Sequence, residues 1–466
     1  MDTCCSNKKS WLSKNRNYII FFADLILFFV LMSVLPMEPR VAQGLALLTF
    51  IAILWLTEAL PVMITALLVP AMGMMMGLMP GKAAMVSFAD PIIFLFFGGF
   101  TLAGALKEQG IDVWLAGKII HFSKGRLGIA LGLIFVVTAV LSMWMSNTAT
   151  AAMMIPLTMG LMAGVDTDKY RSTWIFAILG VAYSASIGGM GTLVGSPPNA
   201  IAAQALNMNF LDWFIIGFPI AIVFGFIVLG LMWLMYRPAL TLNLSLPPSQ
   251  DSQTSNQSNG LSVKQKMVLG LFSLIALSWM SSSFISSACG GIADIDSLIA
   301  ILAVILLVFT KSITWKGIVN NTDWGVLILF GGGITLSKIL MDTGAGHFLA
   351  IQITEGFGHF GIFVFLLAVS AFISFLTEFC SNTASAALVV PLMVSIAPEL
   401  GISDQPLVLL IGIGASCAFM LPVSTPPNAI AFATGKIPQF SMIKMGLTID
   451  LVLIFMKAAW AYFFWM

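Results

Sequence analysis

The chain has 466 residues, of which 59% are hydrophobic and only 9% charged, and its formal net charge is +1. A soluble domain carries roughly 25% charged residues, so this composition excludes a soluble globular protein and predicts an all-α polytopic membrane protein. The net charge gives no indication of a nucleic-acid partner, and the spacing of the five cysteines fits neither a zinc site nor a disulfide framework.

The N-terminal part is predicted to be a cytoplasmic tail, residues 1–16, followed by a peripheral transmembrane helix, residues 17–36. This first apolar run lacks a small-residue cleavage site, which predicts a retained span rather than a signal peptide. Cys4 and Cys5 in the tail are predicted to be unmodified, with acylation as the alternative. In chain order, eleven transmembrane spans are predicted near residues 17–36, 42–60, 62–79, 91–109, 173–203, 213–236, 266–288, 295–310, 324–341, 405–432 and 441–466.

Two further apolar segments are too long for one span and are predicted to be re-entrant helical hairpins, at residues 127–162 and 359–397. With the N-terminus in the cytoplasm, all but four of the 21 lysines and arginines fall on the cytoplasmic side, the exceptions being Arg40, Lys82, Lys338 and Lys457. The C-terminus is therefore predicted to be extracytoplasmic, with the first hairpin entering from the cytoplasm and the second from outside.

The segment 237–265 is predicted to be a cytoplasmic linker, because it is rich in Ser, Gln, Asn and Pro from residue 241 onward. It separates two halves, residues 37–236 and 266–466. Without the peripheral helix each half has five spans, and an odd number forces the halves into opposite orientations. This is the inverted repeat of secondary transporters, whose sites are built from broken helices near the middle of the membrane.

Three motifs recur in the same order in both halves and support this repeat. They are DPIIFLFFGGFTL (90–102) with DWGVLILFGGGITL (323–336), SNTATAAMMIPL (146–157) with SNTASAALVVPL (381–392), and GSPPNA (195–200) with STPPNA (424–429). A single SNT or Pro-Pro is usually a local cap or a kink, whereas recurrence of the ordered set favours a functional site. The paired glycines 98–99 and 331–333 are predicted to serve close helix packing.

The SNT clusters have the chemistry of an anion site. Ser, Asn and Thr are favoured N-cap residues, so each cluster is predicted to start the return helix of its hairpin. The free N–H groups and the helix dipole there stabilise negative charge, so two facing tips would bind an anion with a carboxylate at each end. The predicted substrate-binding residues are Ser146, Asn147, Thr148, Ser196, Pro197, Ser381, Asn382, Thr383, Thr425 and Pro426.

The Pro-Pro pairs predict sodium sites, because proline prevents helix continuation and leaves upstream carbonyls without intrahelical partners. A hard cation binds such oxygens. Ser142 and Thr377 lie four residues before each SNT and therefore on the same helical face. The first predicted sodium site comprises Ser142, Ser146, Asn147 and Gly195, and the second comprises Thr377, Cys380 (backbone), Asn382 and Ser424.

The remaining polar residues favour no second kind of site. Glu58 and Glu378 lie near span ends; Glu378 is expected to be solvated, with a role in the outer vestibule as the alternative. His121, His347 and His359 are scattered and predict no metal cluster. The 29 methionines are interpreted as core filling rather than copper ligands.

At these motifs the chain resembles the divalent anion/sodium symporter family, which includes bacterial sodium-coupled dicarboxylate transporters and the animal citrate transporter INDY. The resemblance covers nearly the whole chain and includes both intact SNT clusters. It implies a homodimer in a bacterial inner membrane, with scaffold and transport domains in each protomer and an elevator motion between them. It also implies that the SNT residues bind substrate carboxylate and sodium at once.

The predicted function is therefore sodium-coupled symport of C4 dicarboxylates such as succinate, malate or fumarate, with no organic cofactor. A C4 substrate is favoured because no lysine or arginine lies in the clusters. Citrate or sulfate transport and dicarboxylate exchange stay open as alternatives, and an ion channel is a more distant one. An enzyme is disfavoured, because no His, Cys, Asp or Glu constellation lies near the helix breaks.

Overall fold

The computed structural model describes residues 15–111, 114, 118, 122–123, 125–242, 261–357 and 360–466. Within these residues the chain is helical and contains no β-strand, as the composition predicted. Most of the predicted linker, together with Cys4, Cys5, His121 and His359, lies outside the described residues.

The helices of the first half follow one peripheral helix. That helix, α1 (Arg16–Val34), packs on the next one through Phe28 and Phe50, whose ring centroids are 5.6 Å apart. The first half then comprises α2 (Pro39–Thr57), α3 (Val62–Met75), α4 (Gly81–Val86), α5 (Pro91–Glu108), α6 (Leu127–Ser142), α7 (Asn147–Leu161), α8 (Arg171–Gly189), α9 (Pro197–Ala205) and α10 (Phe210–Tyr236).

The second half has the same order of helices. It comprises α11 (Val263–Met280) with the short α12 (Ser282–Ala288), α13 (Ile295–Phe309), α14 (Trp315–Asn321), α15 (Trp324–Thr343), α16 (Ala345–Phe357), α17 (Ile362–Phe379), α18 (Asn382–Glu399), α19 (Gln405–Gly414), α20 (Pro426–Ala433) and α21 (Gln439–Trp460). Helix α16 was not among the predicted spans.

Nine helical segments in the described part of the chain are long and apolar enough to cross a membrane. Three predicted spans correspond to helices that are shorter than the roughly 20 residues of a full membrane crossing. These are α3, α13 and α19, with 14, 15 and 10 residues. In α19 the cause is the break before Pro426 and Pro427, which divides the predicted span 405–432 into two helices. The total of eleven spans stays a prediction.

Both predicted hairpins are pairs of helices with an SNT cluster at the turn. The first consists of α6 and α7 and the second of α17 and α18. Residue 359, where the second was predicted to begin, lies outside the described residues. Whether either hairpin re-enters the membrane from one side stays a prediction.

The paired glycines sit where helices approach closely, which confirms their predicted role. A Cβ atom on Gly98 would lie 2.6 Å from the Ala300 side chain, and one on Gly332 would lie 2.6 Å from the Ala66 carbonyl oxygen. These contacts join α5 to α13 and α15 to α3. Each glycine-rich helix therefore packs against a helix of the other half, and the two partners, α13 and α3, occupy matching positions two helices before the counterpart motif.

Candidate functional site

The tip of the first hairpin is fixed by a helix cap. Ser146 is the N-cap of α7, and its Oγ accepts a hydrogen bond from the Ala149 amide at 3.2 Å. Ser381 occupies the same position before α18, although its hydroxyl forms no cap bond. The sequence signal for both helix starts, Ser followed by Asn and Thr, is therefore confirmed.

Three oxygens meet behind the first tip. The Ser142 hydroxyl lies 2.6 Å from Asn147 Oδ1 and 2.7 Å from the Ala185 carbonyl oxygen. A hydroxyl has one hydrogen, so it can donate to only one of these two acceptors. The other short oxygen–oxygen contact has no hydrogen of its own, which is the arrangement that a bound cation stabilises.

The second tip repeats this arrangement. The Thr377 hydroxyl lies 2.7 Å from Asn382 Oδ1 and 2.8 Å from the Ala415 carbonyl oxygen. Ser142 and Thr377, which were selected from their spacing alone, therefore occupy matching positions and are both fully buried. Ser142 thus connects its hairpin to α8, and Thr377 connects its hairpin to the C-cap of α19, the helices that precede the two Pro-Pro breaks.

The oxygens of the first cluster lie in close contact with Gly189 and Gly195. A Cβ atom on Gly189 would overlap Asn147 Oδ1 and would lie 3.0 Å from the Gly195 carbonyl oxygen. A Cβ on Gly195 would lie 3.0 Å from the Ser142 carbonyl oxygen. Asn147, Gly195 and Ser142 thus come together, and the absence of a side chain at position 189 allows Asn147 Oδ1 to approach the backbone there.

The asparagines of the two Pro-Pro-Asn motifs hold the breaks in shape. Asn199 Nδ2 donates to the carbonyls of Gly189 (2.8 Å) and Thr192 (2.7 Å). Asn428 Nδ2 donates to Ala418 (3.1 Å) and Leu421 (3.2 Å). Sequence reasoning attributed these free carbonyls to sodium alone and missed the asparagines, although their recurrence after each Pro-Pro pair was the available signal.

Matched glycines bring a further helix against each break. A Cβ on Gly217 of α10 would lie 2.6 Å from the Met190 carbonyl oxygen. A Cβ on Gly446 of α21 would overlap the Phe419 carbonyl oxygen and the Met420 backbone. A side chain at either position would collide with the break, so glycine allows α10 and α21 to cover one side of each break.

One cavity of about 770 Å³ joins the two tips and the two breaks. The N-termini of α7, α9, α18 and α20 all reach it, so four helix ends contribute partial positive charge. Every predicted substrate-binding residue lines it, as do Gly195, Cys380 and Ser424 of the predicted sodium sites. The lining includes Ser146, Asn147, Thr148, Gly195, Ser196, Pro197, Cys380, Ser381, Asn382, Thr383, Ser424, Thr425 and Pro426.

The charged groups of this cavity are acidic. Glu58 and Asp323 line it and are exposed, whereas no lysine, arginine or histidine is among the described residues that line it. Any positive charge offered to an anion must therefore come from helix ends, amide groups and bound cations. The SNT amides are available for this, because neither Asn147 Nδ2 nor Asn382 Nδ2 donates to another described residue, while both side chains are partly exposed to the cavity.

Some hydroxyls already have protein partners. Ser196 Oγ lies 3.0 Å from Ser416 Oγ, which links the two breaks, and Thr425 Oγ1 accepts from the Asn428 amide at 3.4 Å. Ser424 Oγ donates to the Leu421 carbonyl at 2.8 Å. Thr148 is exposed to the cavity and Thr383 is 9% exposed.

The expectation that Glu378 is solvated is wrong. Its side chain is 1% exposed, and its carboxylate accepts hydrogen bonds from the backbone amides of Met420 and Leu421, both at 2.8 Å. The sequence places it near the end of a span, but the break before α20 folds over it and supplies donors that the primary structure does not reveal.

Comparison with known proteins identifies the family. Residues 52–409 match the family CitMHS, described as citrate transporter. The chain belongs to this family. Its members are transporters rather than enzymes, and the match supports the divalent anion/sodium symporter relationship that the SNT motifs predicted.

Individual relatives agree with this assignment. The chain is 50% identical over 462 residues to an uncharacterized transporter of Haemophilus influenzae, with 98% of each chain covered. It is 31% identical over 494 residues to the sodium-dependent dicarboxylate transporter SdcS of Staphylococcus saprophyticus, covering 98% of this chain and 93% of that protein. This membership and the long apolar helices make the chain a multi-pass membrane protein.

A solved structure supports the fold alone. The YdaH transporter of Alcanivorax borkumensis, described as having an unusual topology, superimposes with a TM-score of 0.55 at 14% sequence identity. The match covers 82% of this chain and 87% of that one. The similarity therefore extends across both halves and confirms a transporter fold.

Proposed function

We propose that this protein is a sodium-coupled symporter of C4 dicarboxylates, with the cavity between the SNT tips as its substrate site. The observation that carries the proposal is the twin arrangement of Ser142 with Asn147 and of Thr377 with Asn382. In each, the amide oxygen belongs to a cation-type oxygen cluster while the amide nitrogen is unpaired at the cavity. One side chain per half is thus placed to contact sodium and a carboxylate together.

Sodium is required on electrostatic grounds. Moving even one charged side chain to the centre of a bilayer costs about 2.5–3.5 kcal/mol on the lowest scale, and a dicarboxylate carries two charges. Two sodium ions neutralise the dianion in a cavity without lysine or arginine. Sodium binds first in this scheme, because it fixes the Oδ1 of Asn147 and Asn382 and thereby orients both amide nitrogens toward the substrate.

The driving force follows from the number of ions. Each tenfold sodium gradient contributes about 1.4 kcal/mol per ion. Each net positive charge moved adds about 2.3 kcal/mol per 100 mV of membrane potential. Two sodium ions with a dianion are electroneutral, so uptake becomes voltage-driven only with a third cation.

The predicted topology indicates the side of the membrane to which the cavity opens. Glu58 follows α2 and Asp323 precedes α15, and both of these ends are predicted to be cytoplasmic. A cavity lined by them opens to the cytoplasm. The proposed transport cycle carries the tips and breaks to the other side by an elevator motion of a transport domain against a scaffold, within a homodimer, in the plasma membrane.

Citrate is the second candidate, because the matching family is described by that substrate. The cavity volume admits both molecules. Glu58 and Asp323 disfavour citrate relative to succinate, since two carboxylates at the cavity lining repel a trianion more than a dianion.

The test is uptake of radiolabelled succinate by proteoliposomes in a sodium gradient, with potassium in place of sodium as the control. We expect sodium-dependent accumulation that unlabelled malate and fumarate inhibit more strongly than citrate or sulfate. Uptake that needs internal dicarboxylate and ignores sodium would establish an exchanger instead. Sodium or anion current without succinate movement would establish a channel.

A further inference from the structure

The buried carboxylate of Glu378 has a position that connects it to the second oxygen cluster. Glu378 directly follows Thr377, whose hydroxyl contacts Asn382 Oδ1. It accepts two backbone hydrogen bonds from Met420 and Leu421, in the break between α19 and α20. The carboxylate therefore joins the hairpin to the break one residue away from the cluster.

The break segment bound by Glu378 is the one that presents Ser424. The amide of Leu421 donates to Glu378, while its carbonyl accepts from Ser424 Oγ (2.8 Å) and from Asn428 Nδ2 (3.2 Å). The backbone of one residue, Leu421, thus contacts the carboxylate through its N–H and the Ser424 hydroxyl through its carbonyl. A displacement of Leu421 would therefore also displace Ser424.

In the first half, the residue that connects the hairpin to the break is uncharged. Met143 follows Ser142 as Glu378 follows Thr377, and its carbonyl oxygen accepts the Thr192 hydroxyl of the first break. Its side chain packs against Gly191, where a Cβ would lie 3.0 Å from Met143 Cε. The two oxygen clusters are alike, but only the second has a carboxylate at this position.

The surroundings of Glu378 do not neutralise it with a direct ion pair. Lys457 is 1% exposed and donates to Ser374 Oγ at 2.6 Å, and it forms no ion pair with a carboxylate among the described residues. Asp450 is 2% exposed, and its carboxyl group shares a side-chain hydrogen bond with that of Glu378. The Glu378 carboxylate is therefore stabilised by its two N–H bonds, by the hydrogen bond that it shares with Asp450 and by any cation nearby.

We infer that Glu378 is a positioning residue for the second sodium site: its carboxylate fixes the 420–421 peptides that present Ser424 and makes this site the tighter of the two for a cation. This inference rests on the proposed function, because it assigns an energetic difference between two sodium sites of that same cavity. Met143 defines the neutral reference within the same molecule.

The decisive variant is Glu378→Gln in nanodiscs, compared with Met143→Leu as the matched control. Gln keeps one acceptor and loses the charge, so one of the two N–H bonds is lost. Hydrogen bonds to charged groups are worth about 1.5–3 kcal/mol, so we expect the sodium concentration for half-maximal thermal stabilisation to rise about tenfold or more. Met143→Leu should change it less than about twofold, since the volume is conserved.

Hydrogen exchange measures the positioning separately from sodium affinity. The amides of Met420 and Leu421 should exchange faster in Glu378→Gln than in the wild type, and Glu378→Asp should restore part of the protection. Faster exchange with an unchanged sodium requirement would reduce Glu378 to a structural role and overturn the inference, as would unchanged exchange.

These results differ from failure of the proposed function. A wild type that is stabilised by sodium but moves no succinate refutes the transport proposal and leaves the Glu378 comparison intact. A wild type with sodium-driven uptake and a Glu378→Gln variant of equal sodium requirement refutes only the inference. If the variant does not fold, the test uses the wild type. Amide hydrogen exchange at residues 420–421 should then be slower in sodium than in potassium, and equal rates in the two salts would contradict the inference.

Discussion

The two hairpin tips carry the same motif but differ in their packing. Trp144, two residues before Ser146, stacks with Phe210 at 5.8 Å between ring centroids and with Trp279 at 6.4 Å, and meets Phe272 edge-on at 4.9 Å. Phe379 occupies the same position before Ser381, is 70% exposed and lines the cavity. The aromatic residue before the first tip is therefore packed among other rings, whereas the one before the second tip is exposed.

Of two aromatic residues that contact Trp144, one differs in burial from its counterpart in the other half and one does not. Phe210 begins α10 and is fully buried, whereas Phe440, near the start of the corresponding helix α21, is 75% exposed. Trp55 near the end of α2 and Trp279 near the end of α11 are both fully buried. A repeat in the sequence thus produces matching motifs at the two tips but not matching packing around them.

The largest expected effect tests whether the two halves are equivalent at the ligands. Asn147→Ala and Asn382→Ala should each reduce sodium-dependent succinate uptake by at least about 100-fold, because each removes an oxygen from a cluster and an unpaired amide from the cavity. The measurement is uptake in proteoliposomes, with size-exclusion profiles to establish folding. Asn320→Ala, at an exposed position away from the cavity lining, is the control. Wild-type-like uptake in both variants would contradict the site.

A difference between the halves is expected at the glycine of the first break. Gly189→Ala should raise the sodium concentration for half-maximal uptake about tenfold or more, because its Cβ would overlap Asn147 Oδ1. In the second half the corresponding residue is Ala418, whose carbonyl accepts from Asn428 as that of Gly189 accepts from Asn199. Ala418→Gly should therefore have little effect. Equal sodium responses of the two variants would show that the oxygen cluster beside Gly189 is not a cation site.

We expect the packing difference between the tips to appear as a difference in the free energy of unfolding of two variants. Trp144→Ala should destabilise the protein by about 3–5 kcal/mol, which is typical of truncating a well-packed large aromatic residue. Phe379→Ala should cost less than about 1 kcal/mol, because the ring is mostly exposed. Thermal unfolding in detergent measures both. Similar losses of stability would indicate that the second tip is buried in the dominant state, contrary to the difference seen here.

Local chemistry explains which parts of the site the sequence could predict. The SNT caps and the Pro-Pro breaks were predictable, since Ser146 as an N-cap and Pro197 at a helix start follow from the properties of those residues within a few positions. The burial of Glu378 was not predictable, because its donors lie more than 40 residues away in sequence. The packing of Trp144 was likewise not predictable, because Trp144 and Phe379 precede the same motif and only tertiary packing distinguishes them.

The smallest expected effect concerns two buried hydroxyls that the halves share. Thr150 and Ser385 lie one helical turn after Asn147 and Asn382, are at most 1% exposed and have no hydrogen-bond partner among the described residues. If Ser142, Thr377 and the SNT amides supply the side-chain ligands, these hydroxyls are dispensable for sodium. Thr150→Val and Ser385→Ala should then leave the half-maximal sodium concentration within about twofold and stabilise the fold by up to about 1 kcal/mol, because an unsatisfied polar group is removed. Sodium titrations of uptake and thermal unfolding measure the two effects. A tenfold loss of sodium affinity in only one variant would extend the ligand set in that half, and the two sites would then differ in their ligands as well as in the packing around them.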